Sequence, residues 1–241
     1  MEILKTEHLS KHFGGLKAVN DFSLSVVKNT IHGLIGPNGA GKTTYFSVIS
    51  GFEAPTSGKI YLEGEEITGN KPYVLCKRGL VRTYQIVKPF KGMTTLDNAM
   101  VGSFVHTNNA AHAKEKAMQA LKLTHLDHKA DVQGGSLNLC EQKRLEVARA
   151  LASSPKVLLL DEVMAGLNPS EVSEVMDMIL EIKEAGVTII IIEHIMQAIM
   201  NISDRISVLN FGQKIAEGTP AEIANDPNVI AAYLGSEYTR T

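Results

Sequence analysis

Hydrophobic positions along this chain fall into two kinds of pattern. At both ends, short apolar runs alternate with helical stretches. The segments "MEILKTEHL" and "FSLSVVKNT" have β-type character, and "IHGLIG" runs straight into a glycine-rich turn followed by a helical stretch over residues 42–50. "GKIYLEGEEI" reads as a hairpin with Gly58 and Gly64 as breakers. The middle, residues 94–131, is rich in Ala, Lys, Leu and Met, as in "NNAAHAKEKAMQALKLTHL", and predicts helix. Then come a helix from about Leu139, the run "KVLLLDE", a helix starting near Pro169, and the run "VTIIIIEH". Continuous apolar runs of this length between helical patterns predict strands of a parallel sheet buried on both faces. No internal repeat or low-complexity tract interrupts the order.

Composition narrows the picture. With 241 residues and 44% apolar content at near-zero mean hydropathy, the chain has enough material for one large domain with room for an inserted subdomain. A net charge of −2 from 24 basic and 26 acidic residues leaves no electrostatic footprint for nucleic acid or an anionic membrane, so neither is expected as a direct partner. Cys76 and Cys140 are too few for a disulfide framework or a zinc site, which fits a reducing compartment. "MEILKTEHLS" shows no signal-peptide pattern. The apolar run "GVTIIIIEHI" falls far short of the roughly 18 to 20 residues needed to span a bilayer. A soluble protein is expected, reaching any membrane through a partner.

The strongest chemical signal is "GPNGAGKTT", residues 36–44, which fits G-x-x-x-x-G-K-[ST] between a predicted strand and helix. Gly36, Pro37, Asn38, Gly39, Ala40 and Gly41 can fold into a nest of inward N–H donors. The following helix adds its positive N-terminus, Lys42 neutralises β and γ phosphates, and Thr43, with Thr44 beside it, offers a hydroxyl to Mg²⁺. A glycine-rich turn with a surface lysine is the plain alternative. The fixed positions arise by chance on the order of once per hundred chains of this length, and the flanks make chance rarer still. The motif therefore predicts nucleotide binding.

A second signal is the end of "KVLLLDE", where a buried strand delivers two carboxylates. One carboxylate there caps a following segment as often as it does chemistry. Beside a P-loop, Asp161 suits Mg²⁺ and Glu162 suits orienting or deprotonating an attacking water. A third strand ends in "IEHI", which puts His194 at the carboxyl edge of the sheet, where α/β folds bind ligands. A lone histidine there is more often structural, but with two phosphate-directed strand ends in hand it reads as a γ-phosphate sensor.

The order of P-loop, Gln85 in "RTYQ", helical insert, "SLNLCEQKRLEVARAL", "LLLDE", "AGLN" and "EH" resembles the ATP-binding subunit of an ABC transporter, over essentially the whole chain. "MAGLNP", "IIEHIMQAI" and the ending "DPNVIAAYLG" look most like the branched-chain amino acid uptake type, whose relatives include amide and urea importers. The resemblance implies an α/β fold: a single ABC ATPase domain, residues 1–241, with a RecA-like P-loop NTPase core of parallel strands and an N-terminal antiparallel β subdomain. Residues 1–84 and 153–241 would form the nucleotide-binding core, and 85–152 an inserted α-helical subdomain.

It also implies roles. Phe13 would stack on adenine with Ala18 beside the ribose, although a ring there also serves as core filler. Gln85 would contact Mg²⁺ and water and report on the membrane subunit. The segment "IVKPFKGMTT" would line the cleft that receives a permease segment, so docking falls in residues 85–95. Glu162 would be the catalytic base and His194 the switch histidine, with Lys42 and Gln85 completing the catalytic set and Thr43, Gln85 and Asp161 the metal set. ATP and Mg²⁺ are the implied cofactors. The implied partners are a second copy or a homologous ATPase subunit in a head-to-tail dimer, transmembrane permease subunits and, indirectly, a substrate-binding protein. The implied location is the cytoplasmic face of the cell membrane, as a peripheral subunit.

One stretch departs from the family. Its L-S-G-G-Q signature aligns with Leu137, Asn138, Leu139, Cys140 and Glu141, where only the leucine survives. Val163 stands where proline is usual and Asn168 where aspartate is usual. Asn138 is nonetheless a strong N-cap, and Glu141 three positions on completes a capping-box spacing, so a helix is expected to start here. N–H groups of its first turn, at Leu139 and Cys140, can still face an anion, and the Asn138 amide can donate to a phosphate oxygen where serine would use its hydroxyl. The bulk of Leu139 and Cys140 and the charge of Glu141 oppose close approach. Three functions compete: an ATPase powering import through membrane subunits, a weakly hydrolysing nucleotide-binding partner in a heterodimer, and a soluble ABC ATPase acting outside transport. The balanced charge and the lack of long coiled-coil or basic segments disfavour the third.

Overall fold

The long amphipathic run at the N-terminus makes β1 (Glu2–Phe13), which turns back into β2 (Leu16–Val27). The computed structural model describes residues 1–234, so Gly235 of "DPNVIAAYLG" lies outside the described residues. β3 (Ile31–Ile35) leads into α1 (Lys42–Ile49), and β4 (Ser57–Leu62) with β5 (Glu65–Glu66) forms the expected hairpin. β2, β1, β4 and β5 hydrogen-bond in that order as an antiparallel sheet. α1 is anchored by Tyr45, which is fully buried with its ring centroid 4.7 Å from that of Phe22 on β2. This is an aromatic pair of favourable, tilted geometry.

Two compact units divide the chain: residues 1–75 with those from Thr188 on, and residues 76–187. The chain passes from one to the other within α2 (Pro72–Arg78). In the second unit, β6 (Leu80–Arg82) pairs in parallel with β7 (Val157–Asp161). Between them in sequence come α3 (Thr95–Ser103), α4 (Ala110–Leu123) and α5 (Leu139–Leu151), and after β7 comes α6 (Pro169–Glu184). The apolar middle is thus two helices with a break over residues 104–109 and a single 3₁₀ turn at Asp127–Lys129, rather than one run. The break falls where Asn109 caps α4, its side chain accepting N–H bonds from Ala111 and His112. Buried Ala113, Ala117, Ala120 and Leu121 recur at helical spacing and set the inward face of α4.

The first unit resumes with β8 (Thr188–Ile192), α7 (Met196–Ile202), β9 (Arg205–Asn210), β10 (Gln213–Gly218), α8 (Pro220–Ala224) and α9 (Pro227–Leu234). β3 lies between β8 and β9, parallel to both, and β10 returns antiparallel to β9. β3, β7 and β8 are buried at all five positions, as the apolar runs of β7 and β8 predict.

A histidine is buried in β3. His32 on β3 is 2% exposed and its Nε2 meets Ser207 Oγ on β9 at 2.9 Å. Burial pushes its pKa down to about 4, against the pull of Glu217. Between the ordinary histidine pKa near 6.5 and about 4, the unfolded chain binds a proton that the folded chain refuses. Stability from this site is therefore complete above the upper value and lost as pH falls through the window. In His32→Gln, the acid-side slope of unfolding free energy over this window should flatten by close to one proton relative to wild type. Equal slopes in urea titrations at stepped pH would count against this account.

Candidate nucleotide site

In the first unit the turn after β3 is built for close backbone approach. Gly41, the N-cap of α1, has φ 107°, and a Cβ there would run into the carbonyl oxygen of Ala18. Gly36 has φ 152°, and its added Cβ would meet the Leu209 carbonyl. Only glycine fits both demands, a left-handed conformation and backbone contact. Lys42 is buried and its Nζ donates to the carbonyl oxygens of Gly36 at 2.6 Å and Pro37 at 3.0 Å, so the ammonium is held over the loop's own backbone. Thr43 is exposed, Thr44 half-buried, and the first turn of α1 carries no acidic side chain to oppose an anion. Asn38 and Gly39 are exposed at the tip of the turn and Ala40 is buried beneath it.

The contact with Gly41 places Ala18 at the loop. Phe13, at the end of β1, is 46% exposed, with the Lys11 ammonium 4.8 Å from its ring centroid. It is an exposed ring rather than core filler. His194 is exposed just beyond β8, ahead of α7, whose N-cap residue Ile195 makes no side-chain cap.

In the second unit the acidic pair has defined partners. Asp161 is 3% exposed and accepts a 2.8 Å hydrogen bond from Arg82 Nη2 on the neighbouring strand. A charge this buried needs such a partner. Glu162, one residue on, has φ 53°, a conformation that costs a non-glycine residue of order 1 kcal/mol or more. It is pinned at both ends: its carbonyl accepts Lys143 Nζ at 3.0 Å, and its carboxylate accepts Gln85 Nε2 at 2.5 Å. Gln85 itself is exposed.

The start of α5 folds as its cap residues predict. Asn138 Oδ1 accepts the Glu141 N–H at 2.9 Å, and Glu141 Oε2 accepts the Asn138 N–H at 3.0 Å. Because Oδ1 must be the acceptor, the Nδ2 end is the one that can meet an anion. Glu141 also pairs with Lys129. Burial pushes its pKa up, but Lys129 and the Asn138 N–H prevail and hold it below the ordinary carboxylate range. Its charge is therefore tied into the cap and balanced. Cys140 is buried, and burial pushes its thiol pKa up, whereas Leu139 is 45% exposed with its side chain beside Gly166. Of the two bulky replacements, only Leu139 faces outward.

A profile of the family described as "ABC transporter" matches residues 19–165. The chain belongs to that family. A second profile, "Branched-chain amino acid ATP-binding cassette transporter", matches residues 213–239. Relatives include the high-affinity branched-chain amino acid transport ATP-binding protein BraF of Pseudomonas aeruginosa, 41% identical over 97% of this chain and 98% of the relative. The corresponding LivG of Escherichia coli is 39% identical over 97% and 98%. Among solved structures, a nucleotide-free ATP-binding cassette from an ABC transporter superposes with TM-score 0.89 at 35% identity, covering 98% of this chain and all of that one. An ADP conformation of such a cassette gives 0.89 at 36%, with the same coverage.

Several residues of this ABC cassette carry structure that sequence reasoning left without a role: Arg82 on Asp161, Lys143 on Glu162, and Glu146 on the backbone of Tyr84. Arg82 belongs to "RTYQ", but no strand was expected there, and its place across from Asp161 comes from the β6–β7 pairing. Asn168, the substitute for aspartate, caps α6 in a capping box with Glu171, with Pro169 at the first helical position. For helix initiation the exchange is neutral.

The tight loop makes one direct prediction. Gly41→Ala should weaken ATP binding by roughly tenfold or more, because the added methyl meets the Ala18 carbonyl in a conformation that alanine resists. Titration calorimetry with ATP checks this, and a Kd within about twofold of wild type would contradict it.

Proposed function

We propose that this chain is the ATP-hydrolysing subunit that powers import of a branched-chain amino acid, or a related amide or amino acid, through separate membrane subunits. The hydrolytic half rests on Glu162: it stands in a left-handed conformation directly after buried Asp161, with its carboxylate hydrogen-bonded to Gln85. Such an outlier, held from two sides, has the character of a working group. The transport half rests on the names of relatives matched end to end.

In this reading the glycine-rich loop binds the phosphates through its N–H groups, and Lys42 neutralises them. Phe13 and Ala18 receive the base and ribose. Glu162 orients a water and takes its proton as the water's oxygen attacks the γ phosphorus, with ADP leaving, and His194 contacts the γ-phosphate. Mg²⁺ would be held through the Thr43 hydroxyl, Asp161 and the Gln85 side chain. These are hard oxygen donors of the kind this ion takes together with phosphate oxygens, and when bound it supplies charge neutralisation at the β and γ phosphates. The N-terminus of α5, with Asn138, Leu139 and Cys140, would face ATP held by the loop of a second, identical or homologous, subunit.

Tyr84, Ile86 and Phe90 are 47%, 71% and 46% exposed in the loop that carries Gln85. Three large apolar side chains on one short exposed loop suit a permease segment docking at residues 85–95. Among the described residues no helix is long and apolar enough to cross a membrane. Attachment to the cytoplasmic face would come through those permease subunits, with the solute-binding protein engaged indirectly.

Glu162→Gln should retain ATP binding and lower steady-state kcat by about 10² or more, because the amide cannot take the proton. Equal turnover in the two proteins would favour the other reading, a weakly hydrolysing partner in a heterodimer, which the altered signature motivates. Asn138→Asp replaces an amide donor by a carboxylate while keeping the helix cap. ATP-driven dimerisation, followed by light scattering, should weaken roughly tenfold, and unchanged dimerisation would remove Asn138 from the trans contact.

A further inference from the structure

Glu146 is a carboxyl group in a place that is almost closed to water. It lies on the buried side of α5, 6% exposed, and its Oε1 accepts the backbone N–H of Tyr84 at 2.5 Å. Its Oε2 is buried without a hydrogen-bond partner. Burial pushes its pKa up, opposed by the Tyr84 N–H and by the charges of Arg149 and Lys143. A half-satisfied buried carboxylate is costly, and an apolar side chain at this place would pack without that cost.

The placement gives the reason for keeping it. Tyr84 immediately precedes Gln85, whose amide reaches Glu162. One helical turn beyond Glu146, Arg149 Nη1 reaches the Lys88 carbonyl at 3.4 Å, and its guanidinium lies 5.6 Å from the Phe90 ring centroid. From α3, fully buried Asn98 closes the far end: its Oδ1 accepts the Phe90 N–H at 2.8 Å, and its Nδ2 donates to the carbonyls of Phe90, Met93 and Thr94. The Gln85 loop is therefore gripped at its first residue by α5 and at its far end by α5 and α3.

We propose that Glu146 is a positioning residue: by holding the Tyr84 amide it sets the backbone from which Gln85 reaches Glu162, and it ties that loop to the helix whose N-terminus carries Asn138. The inference rests on the reading of Glu162 as the base. The acceptor, rather than the charge, is what the geometry uses, so a carboxamide replaces it and a methyl group does not.

The test uses the full chain in three forms, wild type, Glu146→Ala and Glu146→Gln, with steady-state ATPase and amide hydrogen exchange measured on each. In Glu146→Ala, exchange at the Tyr84 and Gln85 amides should rise at least about fivefold while β7 stays protected. Its kcat should fall roughly tenfold, with KM for ATP within about twofold of wild type. Glu146→Gln should restore both, and it carries the kinetic test if Glu146→Ala fails to fold: a Glu146→Gln kcat as low as that of Glu162→Gln overturns the proposal. So does unchanged kcat in Glu146→Ala, unchanged exchange at Tyr84, or exchange that rises equally across β7. If Glu162→Gln itself hydrolyses like wild type, the reading of the base fails. The exchange data then still decide whether Glu146 holds the loop.

Discussion

Three parallel pairs, Leu80 with Val157, Val81 with Leu158 and Arg82 with Leu159, decide where the chemistry of the second unit falls. β6 is only three residues long, yet its register is continued by Thr83, whose N–H donates to the Leu159 carbonyl at 2.9 Å. From that alignment Arg82 reaches Asp161, and Gln85 reaches Glu162. A slip of one residue would turn every side chain to the opposite face. Arg82 would leave a buried Asp161 without its cation, a loss of several kcal/mol by the usual measure of broken buried pairs. The ion pair therefore protects the register, and the register delivers the exposed glutamine to the acid that follows the strand.

The first unit solves a different problem. Its loop must offer N–H groups and one ammonium to an anion while keeping carboxylates away. Backbone contacts at Gly36 and Gly41 force the chain into turns that only glycine tolerates, and the Lys42 ammonium donates to two carbonyls of the same loop. An incoming phosphate competes with carbonyl dipoles, which are weaker partners for a cation than a carboxylate is. The neighbouring Asn210–Gly212 turn supports the loop through a backbone bond, the Gly212 N–H donating to the Ala40 carbonyl at 2.9 Å, and its carbonyl accepts the Asn20 N–H from β2.

Much of this was legible in the residues because it depends on local rules. Apolar runs marked the buried strands β7 and β8, "IHGLIG" before the glycine-rich turn marked β3, and cap spacing marked the start of α5 at Asn138. The partners of the site residues were not legible, because they are set by register and packing. Nothing in "VRTYQ" says that Arg82 will lie across from Asp161, and "RLEVARAL" offers no period or motif that marks Glu146 as an acceptor for a loop 62 residues earlier in sequence. The hairpin of β9 and β10 was also missed, since β10, "QKIAEG", is largely polar and only half-buried and is held by its antiparallel pairing with β9. Glu141 shows the reverse error. As a bare charge near an anion site it looked unfavourable, but its carboxylate faces back to the Asn138 N–H and to Lys129.

That cap geometry bears on how a helix can start without the glycines of the family pattern. Glycine at such a turn serves two ends, freedom of φ and absence of bulk. Freedom is not needed here, because Leu139 and Cys140, which stand at the glycine positions, are the first two residues of α5 and neither has a positive φ. Bulk matters only for side chains directed outward. Cys140 turns into the unit, so its sulfur does not occupy the exposed end of the helix. Leu139 does remain outside, beside Gly166. The reciprocal bonds of the capping box use the N–H groups of Asn138 and Glu141, while those of Leu139 and Cys140 belong to the first turn, where an α-helix has no partner of its own to give them. Of the side chains that replace the two glycines, only that of Leu139 stands outside, and the direction of the first-turn N–H groups is set by the cap.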